Sequence, residues 1–190
     1  GVARAVSGTQ VFAGDSLSGG SYAYTNKNAS LGDKIVTVSG VSVNDGNGGN
    51  NYTVSYADNT SSSIHKADLF VKSTDANKVY DGTTAAIATA ITDSDLYGSD
   101  SISGGTFVYD NKNAGTGKTV TTSNVSVNDG NSGNNYNVIY VDNTSSSISK
   151  ASLSLSSTTV SKVYDGTSTA AGSAVLSSGT LFGTDSISGG

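Results

Sequence analysis

Apolar and polar residues alternate with a period of two along several short stretches of the chain. Tyr136, Val138 and Tyr140 are each separated by one residue, as are Tyr52, Val54 and Tyr56. Alternation of this kind gives one face of a β-strand an aromatic and aliphatic surface, and those faces are expected to line a core. Along the stretch from Val36 to Val43 the rhythm slips: Val36 and Val38 are followed by Val41 and Val43. A bulge or break is therefore expected near Ser39-Gly40. Across the middle of the chain the same reading gives seven candidate strands: Ala67 to Lys72, Asn77 to Tyr80, Thr84 to Ile91, Gly105 to Tyr109, Lys118 to Val127, Asn135 to Val141 and Ser146 to Lys150. The Ala-rich Thr83 to Thr92 is compatible with a helix. Ile87, Thr89 and Ile91 alternate, however, and the matching later segment contains Gly172, so a strand is preferred.

The pattern recurs. Asp15-Ser-Leu-Ser-Gly-Gly20 returns as Asp100-Ser-Ile-Ser-Gly-Gly105 and Asp185-Ser-Ile-Ser-Gly-Gly190, 85 residues apart each time. Val41 to Ile64 matches Val125 to Ile148 at 20 of 24 positions with an offset of 84, and Lys78-Val-Tyr-Asp-Gly-Thr83 returns as Lys162-Val-Tyr-Asp-Gly-Thr167. One complete unit is expected at 67–150, with the later part of a unit at 1–66 and the opening part of another at 151–190. A unit of this length exceeds the coil of a β-helix or leucine-rich solenoid and suits a self-contained bead. Seven short strands at intervals of about 8 to 12 residues predict an all-β chain of tandem immunoglobulin-like β-sandwich repeats of about 85 residues, without the Cys and Trp markers of true immunoglobulin domains. A β-grasp arrangement with one helix is the alternative.

Composition sharpens this picture. Leu, Ile, Val and Phe make up 39 of 190 residues and Val alone supplies 19, so thin cores of β-branched side chains are expected. All 15 acidic residues are Asp, and with 24 glycines and no Glu the chain is rich in turn formers and poor in helix formers. There is no cysteine, hence no disulfide or thiolate metal site. A net charge of −5 with scattered lysines argues against nucleic acid and anionic membranes as partners. No apolar run approaches the roughly 20 residues of a membrane helix.

The segments Lys78-Val-Tyr-Asp-Gly-Thr-Thr84, Asp110-Asn-Lys-Asn-Ala-Gly-Thr-Gly-Lys-Thr-Val120, Gly133-Asn-Asn-Tyr136 and Ser147-Ile-Ser-Lys-Ala-Ser-Leu153 resemble the consensus of the bacterial YDG domain. That family occurs as tandem arrays in very large secreted and surface proteins, including filamentous-haemagglutinin-like adhesins. The resemblance implies an extracellular or cell-surface stalk or adhesin module, with neighbouring repeats, copies of itself, or host or matrix glycans and proteins as partners, and no enzymatic activity. This sequence departs from the family in having His65 and Ser149 where a Pro often precedes the Lys of the closing strand.

Candidate chemistry is sparse. The loops Val43 to Tyr52 and Val127 to Tyr136 gather oxygen donors around Asp45 and Asp129, and Asp58 and Asp142 could add second carboxylates, so calcium is one reading. Asp-Gly and Asn-Gly steps are also strong turn signals, and the turn is the preferred reading. Tyr80-Asp81-Gly82 and Tyr164-Asp165-Gly166 read as structural turns. Lys78 or Lys118, beside an Asn and an Asp, could form an intramolecular isopeptide crosslink if desolvation freed the amine. His65 is the single histidine and its counterpart is Ser149, which excludes a repeated histidine-based triad or zinc site. Complementary half-units at the two ends also raise the prospect of head-to-tail strand addition between chains, producing a filament.

Overall fold

The computed structural model describes residues 12 and 14–188; the opening of the 1–66 segment and the last Gly-Gly of the third Asp-Ser-Ile-Ser-Gly-Gly motif lie outside the described residues. Among the described residues the chain is all-β, without a helix. Its strands are β1 (Ser16–Tyr24), β2 (Ser30–Asn44), β3 (Asn59–Ile64), β4 (Ala67–Ser73), β5 (Asn77–Val79), β6 (Ala90–Thr92), β7 (Ser101–Tyr109), β8 (Gly115–Asn128), β9 (Tyr136–Tyr140), β10 (Asn143–Ser149), β11 (Ser154–Ser157) and β12 (Ala174–Ser178). They form four sheets, ordered β1-β2-β3, β5-β10-β8-β7, β6-β4-β9 and β11-β12. The chain divides into two compact units, one running to Asp68 and including Asp129–Asn137, the other made of Leu69–Asn128 and the residues from Val138 onward.

The sequence repeat is a structural repeat. The β1–β2 hairpin pairs Ser16 with Asn44 and Tyr24 with Val36, and the β7–β8 hairpin pairs Ser101 with Asn128 and Tyr109 with Val120. The closing strand adds equivalently, Lys34 facing Ser62 and Lys118 facing Ser146. β11 and β12 reproduce β4 and β6: Val71 faces Thr92 and Leu155 faces Leu176, each 84 residues on.

The expected break lies where the valine rhythm slips. Gly40 has φ 65° and its counterpart Asn124 has φ 56°, a left-handed conformation that Gly and Asn tolerate best. Opposite Asn124, Gly105 has φ 119°, a conformation that favours glycine, and a Cβ there would lie 2.8 Å from the tip of the Phe107 ring, which would have to shift. The two turned positions reverse the face presented along the hairpin, which lets all four valines of β2 sit partly covered.

Six of the seven expected strands of the central unit are present, with ends displaced by up to four residues. The seventh, Thr84 to Ile91, is mostly irregular: one bridge joins Ala85 to Val108, and strand begins only at Ala90. Its alternation is real but its faces are reversed. Ile87 is 96% exposed, while Ala86 and Ala88 pack on the core, because the space over the buried Tyr109 admits only small side chains. That core is built from Ala76, Tyr109, Val120 and Ile148, with Tyr80, Ala86, Ala88 and Phe107 against it; Leu69 and Val71 are also fully buried. The face of β9 is only partly inward, as Tyr136 is buried whereas Tyr140 is 41% exposed.

Candidate functional site

Lys78, Tyr80, Asp81 and Gly82 close a turn around a cation. The Lys78 ammonium donates to Asp81 Oδ1 at 2.8 Å, to the Thr83 carbonyl at 2.9 Å, to Thr83 Oγ1 at 3.1 Å and to the Ala85 carbonyl at 2.9 Å. Asp81 in turn accepts the Thr83 N–H and hydroxyl, both at 2.9 Å. The amine also lies 5.3 Å from the centre of the Tyr109 ring, within cation–π range. Chiefly through Lys78, and then the Thr83 bonds, the Asp81 carboxyl is lowered to about 2. Gly82 has φ 77°, and a Cβ there would lie 2.7 Å from Phe182, so both conformation and space require glycine. The later copy is closed in the same way: Lys162 donates to Asp165 Oδ1 at 2.9 Å and to the Thr167 carbonyl at 2.8 Å, Gly166 has φ 75°, and Lys162 and then Thr167 hold the Asp165 carboxyl below its usual range. All four partners of Lys78 belong to its own turn, and none is a carboxamide it could attack.

The Asn-rich loops turn their carboxylates inward. Asp45 accepts the backbone N–H groups of Asn47, Gly49 and Asn51 at 2.8, 2.8 and 3.1 Å. Asp129, 2% exposed, accepts those of Asn131, Gly133 and Asn135 at 2.7, 2.8 and 2.9 Å. The N–H groups of Gly49 and Asn47 lower the Asp45 carboxyl. At Asp129 burial pushes the carboxyl up, but the three amides outweigh it and the net direction is down. Asp58 and Asp142 are exposed, and among the described residues no group of three or more His or Asp side chains is placed to hold a metal ion. In each loop the carboxylate therefore serves the backbone, organising a tight turn.

Lys118 occupies a different setting. Its side chain is 8% exposed, and its amine is 2.8 Å from Asp110 Oδ1 and 2.6 Å from Asn111 Oδ1. Asn111 Nδ2 donates back to Asp110 Oδ2 at 3.0 Å, closing a ring of three side chains, and the Asn113 N–H donates to Asn111 Oδ1 at 3.0 Å. The Lys118 contact holds the Asp110 carboxyl below its usual range. In the first copy Lys34, also buried, donates to Asn26 Oδ1, and the Asn28 N–H reaches the same oxygen at 3.1 Å; Thr25 stands in place of Asp110. Of the two lysines singled out from sequence, the structure thus brings only Lys118 to an Asn and an Asp.

Two recurring contacts escaped the sequence reading. The Tyr140 hydroxyl accepts the Val125 N–H at 3.0 Å, and the Tyr56 hydroxyl accepts the Val41 N–H at 3.0 Å. Each satisfies a backbone donor beside the left-handed residue Asn124 or Gly40. The interchange of Gly40 and Asn124 between copies was the available signal, since these two residue types share a tolerance for positive φ. Tyr109 and Tyr24 likewise donate to the carbonyls of the equivalent Ser147 and Ser63, at 3.2 and 2.9 Å.

A YDG domain is detected at residues 65–146. No curated protein and no solved structure matches the chain.

Proposed function

We propose that the chain is a structural or adhesive repeat module of an extracellular bacterial surface or matrix protein, serving as stalk or fibre, with each complete unit an immunoglobulin-like sandwich. The observation that carries this reading is the recurrence of internal bonds. The Lys78 and Lys162 ammonium groups, the Asp45 and Asp129 carboxylates and the Tyr56 and Tyr140 hydroxyls each bond to the backbone of their own copy. Evolution of a binding or catalytic centre would instead leave convergent polar groups facing outward. The sheets β5-β10-β8-β7 and β6-β4-β9 of the central unit support a two-layer arrangement. The test is to extend the chain by further consecutive copies and measure particle length by electron microscopy. A constant increment per copy supports a stalk, and a globule whose length does not grow with copy number contradicts it.

A second reading is assembly by strand addition. Residues 52–58 have the sequence of a strand but lie in no ladder, while β11 and β12 form a ladder that leaves Leu153 and Leu155 43% and 55% exposed. One chain's β11–β12 could cover another's unpaired segment. Sedimentation across a concentration series tests it, since a monomer at every concentration would exclude it.

A further inference from the structure

We propose that Lys118 and Asn111 join in an intramolecular isopeptide bond, with Asp110 carrying the proton. The inference is independent of the stalk reading and rests on three features of the β7–β8 turn. First, the nucleophile is desolvated and in contact with the carboxamide it would attack, at 2.6 Å from Asn111 Oδ1. Second, the carboxamide is held in place: Asn111 Oδ1 takes the Asn113 N–H, Asn111 Nδ2 is anchored on Asp110 Oδ2, and the Asp110 N–H is tied to the Thr119 carbonyl at 2.9 Å. Third, Asp110 touches both reacting nitrogens, the amine through Oδ1 and the leaving amide nitrogen through Oδ2.

The step balances without an oxidant or co-reactant. Lys118 passes one ammonium proton to Asp110, and its free electron pair forms a bond to Asn111 Cγ. Negative charge gathers on Oδ1, where the Asn113 N–H already points. The Cγ–Nδ2 bond then breaks, protons reach Nδ2 from Asp110 and from Nζ, and ammonium leaves. One ammonium and one carboxamide become one secondary amide and one ammonium ion, with charge conserved. Holding the groups in contact supplies the advantage of an intramolecular reaction. The bond closes residues 111–118 into a ring at the end of the hairpin, removing freedom from the unfolded chain. The first copy is an internal comparison: Asn26, Lys34 and the Asn28 N–H are present, but Thr25 offers no carboxylate, so the bond is expected in the central copy alone.

The experiment is the intact mass of the full 190-residue chain with peptide mapping. The expected result is a mass lower than the sequence mass by one ammonia, and a branched tryptic peptide joining the segment that ends at Lys112 to the segment containing Lys118. Lys118→Arg, which keeps the charge, and Asp110→Ala should each restore the sequence mass. A wild-type chain at the full sequence mass overturns the proposal. So does an ammonia loss that survives in Lys118→Arg and yields to hydroxylamine, which identifies a cyclised Asn-Gly step such as Asn47-Gly48. A branched peptide that persists in Asp110→Ala overturns the role given to Asp110.

Discussion

Tyr52-Thr-Val-Ser-Tyr56 and Tyr136-Asn-Val-Ile-Tyr140 occupy equivalent positions in two copies, carry the same alternation, and yet differ in structure. The second is strand β9, paired with β4; the first is irregular. Residues 52–56 have the side chains of a strand but join no ladder among the described residues. The opening parts of the units teach the same lesson. β11 and β12 keep the register of β4 and β6, but Leu155 is 55% exposed where Val71 is fully buried, and Tyr164 is 93% exposed where Tyr80 is half-buried. Local pairing and turn chemistry recur copy by copy, whereas the buried hydrophobic cluster lies in the central copy. Hydrophobic burial, rather than ladder hydrogen bonding, is then what completes a unit.

The comparison breaks most visibly in the core. Leu69→Ala should destabilise the chain by about 2–5 kcal/mol in urea unfolding, because it empties a fully buried site, whereas the equivalent Leu153→Ala should change stability by no more than about 0.5 kcal/mol. Equal effects would mean that the third copy also has a core. Next in size is the hydroxyl that spans the hairpin kink. Tyr140→Phe removes the acceptor of the Val125 N–H and should cost about 0.5–1.5 kcal/mol, with Tyr56→Phe comparable because that contact is intact in both copies.

Acid should open the lysine turns. The folded Asp81 carboxyl titrates near 2, below its ordinary value of 3.8, so the stabilisation it provides is fully present above the unfolded value and is lost as pH falls from there through about 2. Carboxyl titration by NMR should give Asp81 a midpoint near 2, with Asp165 also depressed. A midpoint at the ordinary value would dissolve the turn described for Lys78. The smallest expected effect is that of calcium. Because Asp45 and Asp129 each already accept three backbone N–H groups, neither added calcium nor a chelator should move the unfolding midpoint. A calcium-dependent rise would show that these carboxylates reorganise around the ion.

Alternation and self-similarity made most of the fold legible, because a period of two has one structural meaning and a repeat multiplies the signal. The slip at Ser39-Gly40 correctly placed the kink. The Thr84 to Ile91 stretch misled because the larger residues of an alternating pair are ordinarily the buried ones; here Ala86 and Ala88 are inward because Tyr109 and Phe107 already fill the space. The different fates of residues 52–56 and 136–140 depend on a partner strand distant in sequence, which no local pattern encodes. Among the candidate site residues, the Asp81 and Asp165 turns follow from local chemistry. The meeting of Lys118 with Asn111 depends on the exact closure of the hairpin, and spacing alone did not separate Lys118 from Lys78.

Amide hydrogen exchange on the intact chain tests the central claim most directly, since it reads both copies in one sample. Protection should be strong in Tyr136–Tyr140 and Leu69–Ser73 and weak in the equivalent residues 52–56 and 153–157. Matched protection in the equivalent segments would contradict the account, because the first and third copies would then possess cores of their own.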